Sequence, residues 1–174
     1  MLKNNKRFFR GFTLIELLVV IAILGILATI GLTFFTSAQM RGRDTKRKND
    51  LKQVATALEL YYSDYSAYPT GSVDGKINGC PSTTPSVCVW DGKTSEFTDG
   101  KTLYMKTIPA DPSGSNVYYY RTVAVDSVPN QGFQLFAALE NPQDQSRIAT
   151  TYNCGGGANT CNFSITSANV TPAQ

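Results

Sequence analysis

The sequence predicts an α+β chain in which a long N-terminal helix packs on a small antiparallel β-sheet head. Three observations carry this expectation. Between Phe12 and Phe35 the only charge is Glu16, and at helical rise the run is long enough to cross the core of a bilayer. From Leu51 the apolar residues Leu51, Val54, Ala55, Leu58, Tyr61, Tyr62 and Tyr65 recur in steps of three and four, the signature of an amphipathic helix. Val117–Val125 and Phe133–Leu139 are β-branched and aromatic stretches, and Pro129-Asn130-Gln131-Gly132 between them reads as a hairpin turn.

Lys3, Lys6, Arg7 and Arg10 form a basic segment that ends at Gly11, directly before the apolar run. An ordinary secretory signal has a shorter apolar core with its small-residue cleavage site after it. Here the plausible cleavage glycine lies before the run, so processing would keep the apolar helix in the product. Glu16 is the anomaly. A carboxylate at mid-bilayer costs about 2.5–3.5 kcal/mol even on lenient scales, which makes an intramembrane glutamate a functional-site hypothesis.

Lys6-Arg7-Phe8-Phe9-Arg10-Gly11 followed by Phe12-Thr13-Leu14-Ile15-Glu16-Leu17 resembles the processing signal of type IV pilins and type II secretion pseudopilins. The resemblance implies a leader over residues 1–11 that prepilin peptidase removes after Gly11, with methylation of the new terminus at Phe12. It implies that Glu16, together with Phe12, guides assembly into a helical homo-oligomeric filament on a pilus or secretion platform. Many members carry a proline where this chain has Thr33. The expected organisation is leader 1–11, membrane and filament-core helix 12–35, amphipathic stalk helix 36–66 and head 67–174.

The formal charge of +3 is a leader effect, because from Phe12 onward 12 Lys+Arg face 13 Asp+Glu. Nucleic acid is therefore an unlikely partner. Histidine is absent, removing the commonest general base and metal ligand, and no nucleophile–base pair stands out, so no enzyme is expected. The basic block Arg41, Arg43, Lys46, Arg47, Lys48 and Lys52 reads first as a solvated helix face. Complementarity with an acidic neighbouring head and capture of DNA are weaker readings. The leader charges favour a cytoplasmic N-terminus. Cysteines in two close pairs, Cys80/Cys88 and Cys154/Cys161, suit disulfides in an exported C-terminal part.

In the head, Ala67–Gly71 ends the helix and the polar stretch to Lys101 needs the Cys80–Cys88 staple, with Trp90 and Phe97 as anchors. Leu103-Tyr104-Met105 is expected as a helical turn, and Ile148–Tyr152 and Asn162–Thr166 as weak strands. Cys154–Cys161 closes a glycine-rich loop. The tyrosines at 61, 62, 65 and 68 read as packing core, whereas part of Tyr118–Tyr120 is expected to be exposed for stacking or adhesion. Asp91-Gly92 and Asp99-Gly100 read as turns, and Asn162 and Asn169 match the glycosylation pattern. No cofactor is expected. Major pseudopilins bind calcium after the hairpin, but this chain offers only Asn141, Gln143 and Asp144 there, too few oxygens for a strong site. The expectation is a pilus subunit, membrane-anchored as precursor and at the cell surface once assembled. The alternatives are a major pseudopilin and a membrane-anchored binding or adhesion protein.

Overall fold

The structure, a computed structural model, describes residues 11–80, 87–155 and 160–171, with the backbone alone at Gly31 and Thr33. One helix, α1 (Leu14–Tyr65), is followed by seven strands. The helix is unbroken through Gly25, Gly31 and Gly42. The chain divides into two units between Gln39 and Met40. In the first, the large apolar side chains from Phe12 to Phe35 are exposed, and α1 is long and apolar enough to cross a membrane.

The second unit holds the core. Leu51, Val54, Ala57 and Leu58 of α1 cluster with Tyr118, Tyr120, Phe133, Leu135, Ala137 and Phe163. The last five of these belong to, and Tyr118 immediately precedes, a three-stranded antiparallel sheet ordered β5 (Tyr119–Val125), β6 (Val128–Ala137), β7 (Phe163–Thr166). Alternate residues of a strand point to opposite faces. Phe133, Leu135 and Ala137 therefore meet the helix side, while Phe136 joins Ala138, Cys154 and Cys161 in a second cluster. Two short hairpins complete the unit: β1 (Ile77–Asn78) with β2 (Val87–Cys88), and β3 (Phe97–Thr98) with β4 (Leu103–Met105).

Three expectations change. Leu103–Met105 is a strand, not a helical turn, because Asp99 accepts the N–H groups of Lys101 and Thr102 and folds the chain back so that Met105 faces Phe97. The β5–β6 turn is Asp126-Ser127, both at positive φ, so the two-residue loop comes earlier than the Pro129–Gly132 stretch. Pro129 lies near the start of β6, where its missing N–H is tolerated, and Asn130 also has positive φ beside an irregularity in the register. Ile148–Tyr152 forms no strand; Ile148 donates a single backbone bond to Asn162.

Of Tyr118–Tyr120 only Tyr119 is partly exposed. Tyr118 and Tyr120 are fully buried, and Tyr119 stacks on Tyr152 at 5.2 Å. Gly75 fixes the neighbouring loop: its φ is +71° and any Cβ would collide with the Tyr119 ring. Its carbonyl accepts from Tyr120 N–H at 2.8 Å and Trp90 Nε1–H at 3.0 Å.

Candidate processing and assembly site

Gly11, Phe12 and Thr13 lie outside the helix and are exposed, and among the described residues nothing lies within 4 Å of where a Gly11 side chain would stand. The rest of the leader, residues 1–10, falls outside the described residues. Thr13 caps α1. Its hydroxyl accepts from Glu16 N–H at 3.3 Å, while a Glu16 carboxylate oxygen accepts the Thr13 N–H at 2.9 Å and its hydroxyl at 2.7 Å. This is a capping box, in which two orphan donors of the helix start are satisfied reciprocally. Thr13 was missing from the sequence-derived site, although Thr-x-x-Glu before an apolar run announces it. Phe12, Ile15, Glu16, Val19 and Val20 border a shallow apolar depression.

The basic block is only in part a solvated face. Arg47 is completely buried and meets three carboxylates: Asp111 at 2.6 and 2.9 Å, Asp44 at 2.7 Å and Glu140 at 2.8 Å. Arg43 also pairs with Glu140, and Lys48 reaches both oxygens of Asp144 at 2.7 and 2.8 Å and the Ser146 hydroxyl at 3.1 Å. Asp44 turns its oxygens to the N–H groups of Glu140 and Asn141, at 2.9 and 2.8 Å. Arg41, Lys46 and Lys52 remain exposed.

Burial opposes the charge on Arg47, yet its bonds to Asp111, Glu140 and Asp44 raise its pKa above the ordinary guanidinium value. Burial likewise works against the Asp111 carboxylate, but Arg47 and Ser113 outweigh it and hold it below the usual range. Among the described residues every buried side-chain nitrogen and oxygen has a partner. Such completeness is what a buried ionic cluster requires, because each unpaired charge would cost several kcal/mol, on the order of the whole stability of a domain.

The cysteines are bonded as Cys80–Cys88 and Cys154–Cys161, beside the Ile77↔Cys88 and Asn153↔Thr160 pairings. The loop interiors 81–86 and 156–159 fall outside the described residues. Of the possible calcium ligands, Asp144 is occupied by Lys48 and Asn141 accepts the Gln143 N–H. Among the described residues no three His, Cys, Asp or Glu side chains are grouped to hold a metal. Asn162 spends its side chain on both backbone groups of Leu139, and Asn169 donates to the Gln131 carbonyl. Asp91-Gly92 and Asp99-Gly100 are turns, each aspartate accepting two backbone N–H groups.

Residues 6–32 match the family model described as the prokaryotic N-terminal methylation motif. The chain is 37% identical over 112 residues to type II secretion system core protein G of Pseudomonas aeruginosa, covering 63% of this chain and 71% of that protein. It belongs to the type IV pilin and pseudopilin family. Within that family it is also 33% identical to core protein G of Aeromonas hydrophila, over 64% of this chain and 72% of that one. Over 59 residues it is 44% identical to the type IV major pilin protein PilA of Myxococcus xanthus, 34% of this chain but 27% of that protein. No solved structure matches.

Proposed function

We propose that this chain is the structural subunit of a type IV pilus, cleaved by prepilin peptidase between Gly11 and Phe12 and polymerised through the apolar half of α1. The observation that carries the reading is the exposed apolar surface of Phe12–Phe35 with one carboxylate, Glu16, at its start. The precursor sits in the membrane with the disulfide-bonded part outside. Cleavage leaves an ammonium group at Phe12, which the family's processing also methylates. In the filament, Glu16 exchanges its Thr13 cap for the Phe12 ammonium of a neighbour. Pairing removes the cost of a buried lone charge, so it fixes axial register more than it adds net stability. The apolar faces supply most of the association by leaving lipid for packed side chains. No catalytic role is proposed: the chain has no histidine, and all four cysteines are bonded.

Mass spectrometry of the mature chain tests the processing step, with methyl-phenylalanine at residue 12 expected; an intact Met1, or a terminus elsewhere, overturns it and favours a simple membrane-anchored binding protein. Electron microscopy of the cell surface tests the product.

A second reading, the major pseudopilin of a type II secretion system, is favoured by likeness to core protein G over more than a hundred residues. The pilus reading draws on the two stapled loops and on the Lys48 ammonium at Asp144. Loss of exported enzymes from the medium on gene deletion, with no surface filaments in the parent, would favour secretion.

A further inference from the structure

The buried stripe of α1 changes chemistry along its length. Leu51, Val54, Ala57 and Leu58 bury apolar side chains, whereas one and two turns earlier the same face buries Asp50, Arg47 and Asp44. No residue of 40–50 belongs to the apolar core. Apart from the Asp44–Arg47 pair, the partners of those charges come from outside the helix. Asp111 lies between β4 and β5, Glu140 follows β6, and the Tyr118 hydroxyl donates to Asp50 at 2.8 Å.

We propose that residues 44–50 of α1 are held to the rest of their unit by an ionic latch that acid opens, while the apolar contacts from Leu51 onward keep the sheet attached. A guanidinium buried among neutral partners is uncompensated, so each carboxylate that takes up a proton weakens the latch. The charged groups around Arg47 are Asp44, Arg43 and Asp50 on the helix and Asp111 and Glu140 opposite. Lys46 acts on Asp50, and Lys48 pairs with Asp144 at the margin.

The direction follows from the carboxylates. Asp111 stands below the ordinary value, the pull of Arg47 and Ser113 exceeding the cost of burial. Glu140 is lowered chiefly by Arg43 and also by Arg47, and Asp144 chiefly by Lys48. What these three contribute is therefore complete above the ordinary carboxylate range and is lost as pH falls through their lowered values. Asp50 runs the other way. Burial raises it despite the Tyr118 bond, so its protonation comes earlier and favours the folded form in acid. Three carboxylates open the latch and one resists.

Trp90, the only tryptophan, stands edge-on to Tyr118 at 5.6 Å and so reports on this region. The full chain in detergent micelles is titrated from neutral pH into acid while amide hydrogen exchange and Trp90 emission are followed. Between the ordinary carboxylate range and the lowered values, protection of amides 44–50, corrected for intrinsic exchange, is expected to fall about tenfold more than that of 54–62 per pH unit for each net proton taken up on opening. Trp90 emission should change with it, before the strand signal in circular dichroism. Arg47→Met, which leaves Asp111 and Asp44 without their cation, should shrink this acid step to the part that Arg43 and Lys48 sustain, and Asp111→Asn should bring the opening up to neutral pH. Loss of protection by both helix segments together would overturn the latch. So would protection of 44–50 that persists until the sheet unfolds, or an acid step unchanged in Arg47→Met. Should one variant fail to fold, the wild-type titration decides alone.

Discussion

Residues 12–35 and 44–58 lie on one helix and treat their awkward side chains in opposite ways. In the first stretch the large apolar residues are 45–82% exposed, and the single acid is satisfied by the Thr13 cap within its own turn. In the second, a guanidinium with no exposure is surrounded by the carboxylates of Asp44 in its own helix, Asp111 and the still more distant Glu140. A charge is tolerated in a low-dielectric site where its partner is built in; an apolar surface left uncovered is an invitation to association. One half of α1 is completed by its own chain, and the other half is a surface waiting for lipid or for neighbours.

Substitutions can break that contrast. The largest expected effect on folding is Arg47→Ala, which strands Asp111 and Asp44 and should cost about 3–5 kcal/mol in chemical denaturation; Arg47→Met strands the same carboxylates and should cost nearly as much. A much smaller loss in Arg47→Met would mean that packing, not charge, matters at this position. Next comes the Cys154→Ser, Cys161→Ser pair. Opening a ring of this size should cost about 2–3 kcal/mol, and Phe136, Tyr119 and Tyr152 should become more accessible to labelling.

The N-terminal half is sharpened by comparing two cap variants. Thr13→Ala and Glu16→Ala each remove the capping box and should weaken the helix start by roughly 1 kcal/mol. Only Glu16→Ala should also reduce filament yield after normal cleavage; an equal reduction in Thr13→Ala would make capping the whole role of the glutamate. The smallest expected effect belongs to Lys48→Ala, less than about 1 kcal/mol because the pair is partly exposed. A larger loss would promote the 140–147 loop to an integral part of the clamp.

What the sequence made legible was what periodicity and local chemistry encode. The uninterrupted apolar run, the stripe from Leu51, the two aromatic strands and the close cysteine pairs all have their counterparts in the structure. The engagement of Arg43, Arg47 and Lys48 was not legible because their partners are distant: Arg43 meets Glu140 across 97 residues, and no local pattern announces such a pair. A hint was present, since Asp44, Arg47 and Asp50 continue the Leu51–Val54–Leu58 face toward the N-terminus. The hairpin turn was misplaced because Pro and Gly outweighed Asp126-Ser127 as turn signals, although Asp adopts positive φ more readily than most residues. Alternation in the strand puts Tyr119 on the face opposite Tyr118 and Tyr120, and it is the one of the three left partly exposed, though it stacks on Tyr152.

Both covalent rings are short and local, spanning 8 and 7 positions. If tension were applied at the two ends of the chain, they would withhold only roughly 50 Å of contour, at about 3.4 Å per residue. Neither ring ties the sheet to α1, so resistance to pulling rests on the strand ladders and on the grip of α1 alone.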